Sequence, residues 1–549
     1  MPVVELSYSR LQKLVGNASK KQISETLPFL GLDIESEEKD LVRVEYSPNR
    51  PDYSTDFGIS LGLQGLLGKK LGSYKLKIKK SSDFKINVDS SVSKIRPFVT
   101  GIIAKNGKID DKIIKQLMTM QEDLHFGIGR KRKKSSIGIH DLDTISFPLT
   151  YTTTNRNHKF VPLNSQKEST ISDILQNTDV GKDYGYVLGN SSKVPIILDS
   201  KGQTVSFPPI INAAITTVTT KTKNLFVEVT GINKEDAEDM LSVVASTLQA
   251  AGFSLISTNI RGGRNSTPKL SERKIIVTPS LINESLGLNL RTSEIISSLK
   301  KSRLDASLNK NKIICTIPPY RFDIFGEMDL VEEVALGYGI ERLTPLLAPS
   351  QTIGSIHPVS TKLKSVGLAL VGLGYLEVLN SSLTSKRILY EMTGRKQENI
   401  ISVLDSKSQE HTILRDSIMP GLLENLSRNI HSQYPQKLFE LGKVFLKNHP
   451  IDEQTSLGVV CAHQDVHFSE VKSVLQALMK TCFNIQVETK TTSEDLFEKG
   501  RTASIIANGK KIGVIGEINS KTIEEYKIRV PVVGFEINLS GLIFDQTHN

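Results

Sequence analysis

The length of this chain, 549 residues without a repeat of fixed period, is the feature that most limits how it can fold. Domains usually hold roughly 100–200 residues, so the length predicts about three to five of them. The longest apolar run, VGLALVGLGYLEVL at 366–379, is too short to span a bilayer, and the N-terminus lacks the pattern of an export signal. We therefore expect a soluble protein that is not exported.

Charge and cysteine content indicate the partner and the compartment. The chain has 69 Lys+Arg against 59 Asp+Glu, a net charge of +10, which suits a polyanionic partner but also occurs in many proteins that bind no nucleic acid. The three cysteines, Cys315, Cys461 and Cys482, are far apart and odd in number, so they indicate neither a disulfide framework nor a cysteine-rich zinc site. This usage favours a reducing cytoplasm.

Hydrophobic patterning divides the chain into four units and predicts an α+β multidomain protein. Residues 1–85 form a small α/β unit that ends in a basic linker, and residues 86–267 carry many short β-branched runs. The amphipathic segment at 236–252 predicts a helix, because it is acidic in its first turn and ends at glycine. Residues 268–345 predict a compact module, and residues 346–549 a last unit of helices and strands.

Several common catalytic and binding motifs are not found in the sequence. There is no GxxxxGK[ST] or GxSxG, and GIGRKRKK at 127–134 has two glycines where a dinucleotide loop needs three. His463 and His467 lie four residues apart but lack the glutamate of HExxH, which favours a solvated or capping role over a metal site. The basic run GRKRKKSS at 129–136 is either a solvated loop or a contact for nucleic acid phosphates.

The segment PPYRFDIFGEMDLVEEVALGYG at 318–339 gathers carboxylates around one short predicted helix that contains no Lys or Arg. Asp329, Glu332 and Glu333 lie at i, i+3 and i+4, so one helical face presents their oxygens. Asp323 precedes the helix and can approach the same point. Such a set is either an exposed acidic face or a site for a divalent cation.

Six stretches, in order along the chain, resemble the β chain of phenylalanyl-tRNA synthetase of the archaeal and eukaryotic type. They are SPNRPDYSTDFGISLGL (47–63), GRKRKKSSIGIHDLDTISFPLTY (129–151), PPIIN (208–212), NLFVEVTG (224–231), PPYRFDIFGEMDLVEEVALGYG (318–339) and LRDSIMPGLLENLSRN (414–429). None is diagnostic alone, but their order and spacing span nearly the whole chain.

The resemblance implies a role for each internal unit. Residues 268–345 match the family's B5-like module, which holds Mg²⁺ at the contact with the α chain. The matching metal ligands are Asp323, Asp329, Glu332 and Glu333. Residues 86–267 match the editing-like B3/B4 domain, which hydrolyses tyrosine wrongly esterified to the phenylalanine tRNA. Editing is needed because a pocket built for phenylalanine rejects an added hydroxyl only about a hundredfold.

On the family's pattern, the editing candidates are His140, Asn212, Glu228 and Thr230. Glu228 lies in the alternating strand FVEVTG, so it either points into a pocket with Thr230 or lies on the outer face of an antiparallel sheet. His140 either acts on water or only bonds the loop carboxylates Asp141 and Asp143. After PPIIN this chain continues with AAITT, where the family usually has small and acidic polar residues.

Residues 346–549 resemble the family's catalytic-like domain, an antiparallel class II synthetase sheet that no longer activates amino acid. KLFELGKVF takes the place of a motif-two strand, but no arginine-bearing, glycine-rich motif three is present to hold ATP phosphates. We expect Arg415, in LRDSIMPGLL, to hold the fold or an interface rather than nucleotide. A domain of this size without catalysis implies burial against an active copy of the same fold, in an α₂β₂ assembly.

The sequence therefore predicts a β-type subunit that, with its α chain, attaches phenylalanine to its tRNA using ATP. This chain would supply structural support, tRNA contacts and hydrolytic editing, with Mg²⁺ as its metal and the aminoacylation site in the α chain. Two other classes stay open: a free-standing hydrolase of mischarged tRNA, and a non-catalytic RNA-binding scaffold.

Overall fold

The protein is a mixed α+β chain of two compact units, residues 1–347 and 348–549, as the predicted α+β class requires. The computed structural model describes residues 2–261, 266–268, 272–345, 347, 353–397, 399–404, 406 and 408–544. Within these residues, no helix is both long and apolar enough to cross a membrane.

The first unit begins with a three-stranded antiparallel sheet of order β1-β3-β2, covered by three helices. The strands are β1 (Val3–Ser7), β2 (Leu32–Glu37) and β3 (Leu41–Tyr46), and the helices are α1 (Tyr8–Val15), α2 (Lys20–Thr26) and α3 (Asp56–Leu66). At the start of α1, α2 and α3, a backbone N–H of the first turn donates to the side-chain hydroxyl of Ser7, Ser19 and Thr55 respectively. Nearly every residue of α3 is buried, which explains its apolar and glycine-rich sequence.

An eleven-stranded sheet follows, with the path β13-β12-β11-β8-β5-β15-β6-β14-β7 and with β4 and β16 paired to β15. Its strands are β4 (Ile78–Lys79), β5 (Lys85–Val88), β6 (Phe98–Lys105), β7 (Ser135–Asp141), β8 (Leu149–Asn155), β11 (Lys193–Leu198), β12 (Thr204–Phe207), β13 (Ile211–Asn212), β14 (Leu225–Gly231), β15 (Ser254–Arg261) and β16 (Ser266–Thr267), while β9 (Lys159–Phe160) and β10 (Ser169–Thr170) form a separate pair. The helices are α4 (Asp111–Phe126), α5 (Ile171–Asn177), α6 (Asp179–Tyr184) and α7 (Lys234–Ala250). The helix predicted at 236–252 is thus observed as α7.

Strand β14 lies between β6 and β7 and is buried along its whole length. Val227 and Val229 pack into the core that α4 and α7 complete, whereas Phe226 packs into a different core on the opposite face. Because side chains alternate along a strand, Glu228 and Thr230 share the face of Phe226.

The first unit ends in a small antiparallel sheet of order β17-β19-β18, packed against three helices. The strands are β17 (Arg273–Val277), β18 (Asp305–Asn309) and β19 (Lys312–Ile317), and the helices are α8 (Pro279–Leu286), α9 (Thr292–Lys301) and α10 (Glu327–Tyr338). The basic segment predicted as a linker contacts this module, because Ser73 donates its hydroxyl to Asp305 at 2.7 Å.

The second unit is built on a seven-stranded sheet of order β20-β23-β24-β28-β27-β26-β25, antiparallel except at the pairing of β20 with β23. Its strands are β20 (Leu376–Glu377), β21 (Leu383–Thr384), β22 (Ile413–Leu414), β23 (Gln436–Leu446), β24 (Asp452–Ala462), β25 (Val487–Thr491), β26 (Phe497–Ala507), β27 (Lys510–Ile518) and β28 (Val532–Asn538), of which β21 and β22 form a separate pair. The helices are α11 (Pro358–Gly372), α12 (Met419–Arg428), α13 (Phe468–Phe483), α14 (Ser520–Glu525) and α15 (Ser540–Phe544).

Arg415 is a structural residue of the second unit. Its guanidinium is buried and binds the buried carboxylate of Glu440 on β23 at 2.7 Å, and it also donates to the Lys443 carbonyl at 2.9 Å. These contacts agree with the prediction that Arg415 holds the fold.

Candidate functional site

A cavity of about 450 Å³ lies beside β14, between α4 and the turn that leads into β13. Its lining is mainly apolar and includes several polar side chains. The apolar lining includes Ile114, Leu117, Met118, Ile137, Ile139, Pro208, Pro209 and Ile211, and the polar lining includes Glu122, Arg132, Ser136, Ser206, Asn212 and Glu228. A cavity of this size and lining is typical of small-ligand sites.

Glu228 lines the cavity and is 1% exposed, so the alternative of an outer sheet face is wrong. Its Oε1 accepts a hydrogen bond from Ser206 Oγ at 3.0 Å. Its Oε2 is buried and has no hydrogen-bond partner among the described residues. Buried polar atoms almost always have a hydrogen-bond partner, because leaving one unpaired is energetically costly. The unpaired Oε2 can therefore accept a hydrogen bond from the hydroxyl of a ligand.

Glycine at position 138 opens space next to this carboxylate. Gly138 lies directly opposite Glu228 in the β7–β14 pairing. A Cβ at this position would lie 2.6 Å from Glu228 Oε1, 2.6 Å from His140 Nε2 and 3.1 Å from Asn212 Oδ1. Three polar atoms of the predicted editing candidates therefore converge on one small gap that only glycine leaves open.

His140 is fully buried behind the cavity wall and stacks on Phe226, with ring centroids 5.7 Å apart. Its Nδ1 is 2.9 Å from Thr216 Oγ1, and its Nε2 is 4.0 Å from Glu228 Oε1 without a hydrogen bond. Asp141 and Asp143 instead accept hydrogen bonds from Thr222 and Asn224. The reading in which His140 bonds these two loop carboxylates is therefore wrong, whereas its action on water stays a prediction.

Thr230 shares a face with Glu228, as strand alternation predicts, but it does not line the cavity. Its Oγ1 accepts from Arg96 Nε at 2.9 Å and lies 3.1 Å from Ser136 Oγ. Arg96 is 2% exposed, and burial lowers its pKa to about 10, although Tyr151 and Glu228 act in the opposite direction. Thr230 thus positions a buried arginine, which no motif in the sequence singles out.

The acidic helix α10 carries a second polar cluster, in which Arg321 neutralises two of the four predicted metal ligands. Asp323 accepts hydrogen bonds from both Nε and Nη2 of Arg321, the shortest at 2.8 Å, and Glu333 is also bound to Arg321. Burial raises the pKa of Asp323, but the Arg321 guanidinium outweighs burial and holds this pKa below its usual value. The predicted helix has no basic residue of its own, and Arg321 precedes it.

The other two predicted ligands, Asp329 and Glu332, each have a carboxylate oxygen that forms no hydrogen bond with the described residues. Asp329 Oδ2 accepts the backbone N–H groups of Phe325 and Gly326 at 2.7 and 2.8 Å, which caps the helix. Glu332 is exposed and forms no hydrogen bond or ion pair with the described residues. Its pKa is raised by partial burial and then by the negative charges of Glu333 and Asp329.

Among the described residues, one group of three side chains brings possible metal-ligand atoms within 4.8 Å of one another, and it is not on α10. It consists of Cys461, His463 and Glu470 in the second unit. Glu470 already binds both His463 Nε2 and Lys437 Nζ at 2.9 Å. An ion-pair network therefore accounts for His463, and His467 lies at the start of α13 without a side-chain capping bond.

Family models match three successive parts of the chain. They are the B3/4 domain at residues 121–242, the tRNA synthetase B5 domain at residues 275–340, and the phenylalanyl tRNA synthetase beta chain CLM domain at residues 345–539. With the α+β fold and the cavity in the first of these parts, the matches define the class as an aminoacyl-tRNA synthetase chain.

Relatives along the whole chain narrow this class to one family. The phenylalanine–tRNA ligase beta subunit of Archaeoglobus fulgidus is 39% identical over 98% of both chains, and that of Methanosarcina acetivorans is 36% identical over 99% of both. The crystal structure of an N-terminal fragment of the beta subunit from Pyrococcus horikoshii superimposes with a TM-score of 0.58 at 29% identity, over 61% of this chain and 99% of the fragment. The chain belongs to the family of phenylalanine–tRNA ligase β subunits.

Proposed function

We propose that this chain works in a phenylalanine–tRNA ligase, in which a separate α subunit forms phenylalanyl-tRNA from ATP, phenylalanine and tRNA(Phe). The observation that carries this proposal is the 39% identity along the whole chain to a named β subunit. The guanidinium of Arg415 is occupied by Glu440, so this arginine is not free to hold ATP phosphates. We infer an α₂β₂ assembly in the cytoplasm, where cysteines such as the free Cys315, Cys461 and Cys482 stay reduced.

We further propose that the cavity beside β14 hydrolyses tyrosine wrongly esterified to tRNA(Phe). The apolar wall would cover the tyrosine ring, and Glu228 Oε2 would accept the phenol hydroxyl, which phenylalanine lacks. Asn212 would line the cavity next to Glu228, with His140 behind the wall at the gap left by Gly138. Water then breaks the ester bond, and its proton goes to the ribose oxygen of the tRNA as the tyrosine leaves as a carboxylic acid.

Deacylation by the purified complex tests the editing proposal. We expect tyrosyl-tRNA(Phe) to be hydrolysed about a hundredfold or more faster than phenylalanyl-tRNA(Phe), because only tyrosine has a hydroxyl that can donate a hydrogen bond to Glu228. The measurement is release of radiolabelled amino acid at a fixed concentration of complex. Equal rates would remove the editing proposal.

Purification separates the ligase from the other two classes. A ligase subunit copurifies with an α chain in fixed stoichiometry, whereas a free-standing hydrolase deacylates without one. An RNA-binding scaffold would bind tRNA without hydrolysing the ester.

We propose that Mg²⁺ binds at α10 through Asp329 and Glu332, with Asp323 and Glu333 in the adjacent positions. Hard carboxylate oxygens suit this ion, and the unbalanced charge around Glu332 fits a cation. Bound Mg²⁺ would supply a bridge between these carboxylates and the α subunit. Arg321 would neutralise Asp323 and Glu333, which leaves Asp329 and Glu332 as the principal ligands.

Calorimetric titration of the complex with Mg²⁺ tests this site. We expect the double variant Asp329→Asn, Glu332→Gln to bind Mg²⁺ about tenfold or more weakly, because it removes two charges and keeps the helix cap. Glu327→Gln is the matched control, since Glu327 is exposed on the same helix outside the ligand set. Identical titrations for the double variant and the control would contradict the site.

A further inference from the structure

The loop between α4 and β7 has an unusual backbone. Three successive residues, Arg130, Lys131 and Arg132, lie in the left-handed region with φ values of 48°, 53° and 64°. Residues other than glycine, asparagine and aspartate rarely adopt this conformation, because their Cβ approaches a backbone carbonyl. Gly129 precedes them, and a Cβ there would lie 2.5 Å from the Ser135 carbonyl oxygen. Backbone held in such conformations is concentrated at binding and active sites.

Arg132 anchors this loop to the wall of the cavity. Its side chain is buried, donates to the Ile210 carbonyl at 2.9 Å and binds Glu122 Oε1 at 2.8 Å. Its guanidinium also lies over the Tyr184 ring, 4.1 Å from the centroid. The buried contacts of one basic residue therefore fix the positions of its exposed basic neighbours.

These neighbours are Arg130, Lys131 and Lys133, which are all exposed. None of the three forms an ion pair with a residue in the described part of the chain, in contrast to Lys134, which binds Asp236 at 3.2 Å. The carboxylates at the end of α4 are already engaged, Glu122 by Arg132 and Asp123 by the Tyr46 hydroxyl.

An exposed aromatic ring accompanies these cations. Phe126, the last residue of α4, is 67% exposed, and Lys131 Nζ lies 5.6 Å from its ring centroid. Met118 and Glu122 line the cavity at one-turn intervals on the same helix, and Phe126 follows at the next interval. Phe126 thus follows two cavity-lining residues along α4, and the three cations flank Arg132, which lines the cavity.

We propose that Phe126, Arg130, Lys131 and Lys133, here called the entry loop, bind the single-stranded 3′ end of the RNA whose aminoacyl ester enters the cavity. Unpaired RNA is bound by aromatic rings that stack on bases and by cations that contact phosphates, and the entry loop has both. This inference rests on the proposed editing function. It assigns the basic run at 129–136 two roles, with Arg132 in the cavity wall and its neighbours on the RNA.

Steady-state deacylation by the full complex tests the entry loop. In the triple variant Arg130→Ala, Lys131→Ala, Lys133→Ala, we expect KM for tyrosyl-tRNA to rise about tenfold or more while kcat changes less than about twofold. The slope of log(1/KM) against log salt should decrease in magnitude by roughly two, at about 0.7 per single-strand phosphate contact. Phe126→Ala should raise KM about tenfold and leave this slope unchanged.

The control is the variant Lys521→Ala, Lys527→Ala, Arg529→Ala, which removes two lysines and one arginine from exposed positions in the second unit. It should leave KM and its salt dependence as in the unmodified complex. Equal KM increases in both triple variants would show a general charge effect and overturn the assignment.

Binding of a labelled hairpin RNA separates this inference from the editing proposal, because it needs no hydrolysis. Fluorescence anisotropy should show tighter binding of a hairpin with an unpaired 3′ end than of the same hairpin with a blunt end, and the entry-loop variants should remove the difference.

Normal hydrolysis with unchanged KM and RNA affinity in the variants would overturn the entry loop alone. Absent hydrolysis in the unmodified complex would overturn editing, and the RNA affinities would then decide the entry loop. If an acidic peptide competes as well as the RNA, the single-strand assignment is wrong.

Discussion

Replacing Glu228 with alanine should slow the deacylation of tyrosyl-tRNA(Phe) by about 10- to 150-fold, which corresponds to the roughly 1.5–3 kcal/mol of one hydrogen bond to a charged group. The buried Oε2 of Glu228 has no hydrogen-bond partner within the described residues, so the phenol hydroxyl would be its first one. The alanine variant loses this bond only for tyrosine. Hydrolysis of phenylalanyl-tRNA, which makes no such bond, should stay at its low rate.

Two further variants show whether the effect belongs to recognition of the hydroxyl. Glu228→Gln keeps the shape of the side chain without its charge, so its rate should fall between those of the alanine variant and the unmodified complex. Met118→Ala removes apolar contact at the cavity rim, where Met118 is 58% exposed, and should affect both esters equally. If Glu228→Ala also slows both esters equally, Glu228 supports the fold and does not read the hydroxyl.

Strand periodicity was enough to place Glu228 and Thr230 on one face, because alternation along FVEVTG leaves only two choices. It could not show which of them reaches the cavity. That outcome depends on Arg96, which is 134 positions away in sequence and occupies the Thr230 hydroxyl, and on Ser206, which binds one oxygen of Glu228. Contacts between distant segments decide which side chain stays available to a ligand.

The acidic helix shows the same limit. Helical spacing predicts Asp329, Glu332 and Glu333 on one face, but among the described residues no three of the predicted ligands have oxygens within 4.8 Å of one another. The cation beside them is Arg321, which lies before the helix rather than inside it. Glu333 is 5% exposed and faces this arginine, whereas Glu332 is exposed. The sequence therefore predicted the cluster but not its division into neutralised and available carboxylates.

In the basic run at 129–136, the sequence left a solvated loop and a phosphate contact open. The left-handed backbone explains why composition was insufficient, since one of five consecutive basic residues turns into the cavity wall while Arg130, Lys131 and Lys133 stay exposed. A count of positive charges does not show which of these side chains are buried and which are exposed.

Replacing Arg321 with methionine should destabilise the module of β17–β19 and α8–α10 by about 3–5 kcal/mol, because two buried carboxylates lose the guanidinium that is hydrogen-bonded to them. Arg50 lies 4.0 Å from Glu333, too far to replace these hydrogen bonds. The Arg321 side chain is 3% exposed and those of Asp323 and Glu333 are 10% and 7% exposed, so water compensates little of the loss. Hydrogen exchange in the full chain measures this local effect, as amide protection in β19 and α10. Arg321→Lys should recover only part of the protection, since an ammonium group cannot reproduce the two-point contact with Asp323.

Arg342→Met is the matched control for this prediction. Arg342 is an exposed arginine of the same module that lies over the Tyr338 ring, 4.1 Å from its centroid. Its replacement should change stability by no more than about 0.5 kcal/mol, as is usual for surface substitutions. Because both variants remove one positive charge, a difference between them reports the burial of Arg321 rather than the net charge. Equal protection in the two variants would mean that Asp323 and Glu333 do not depend on Arg321, and that another cation, such as the proposed Mg²⁺, neutralises them.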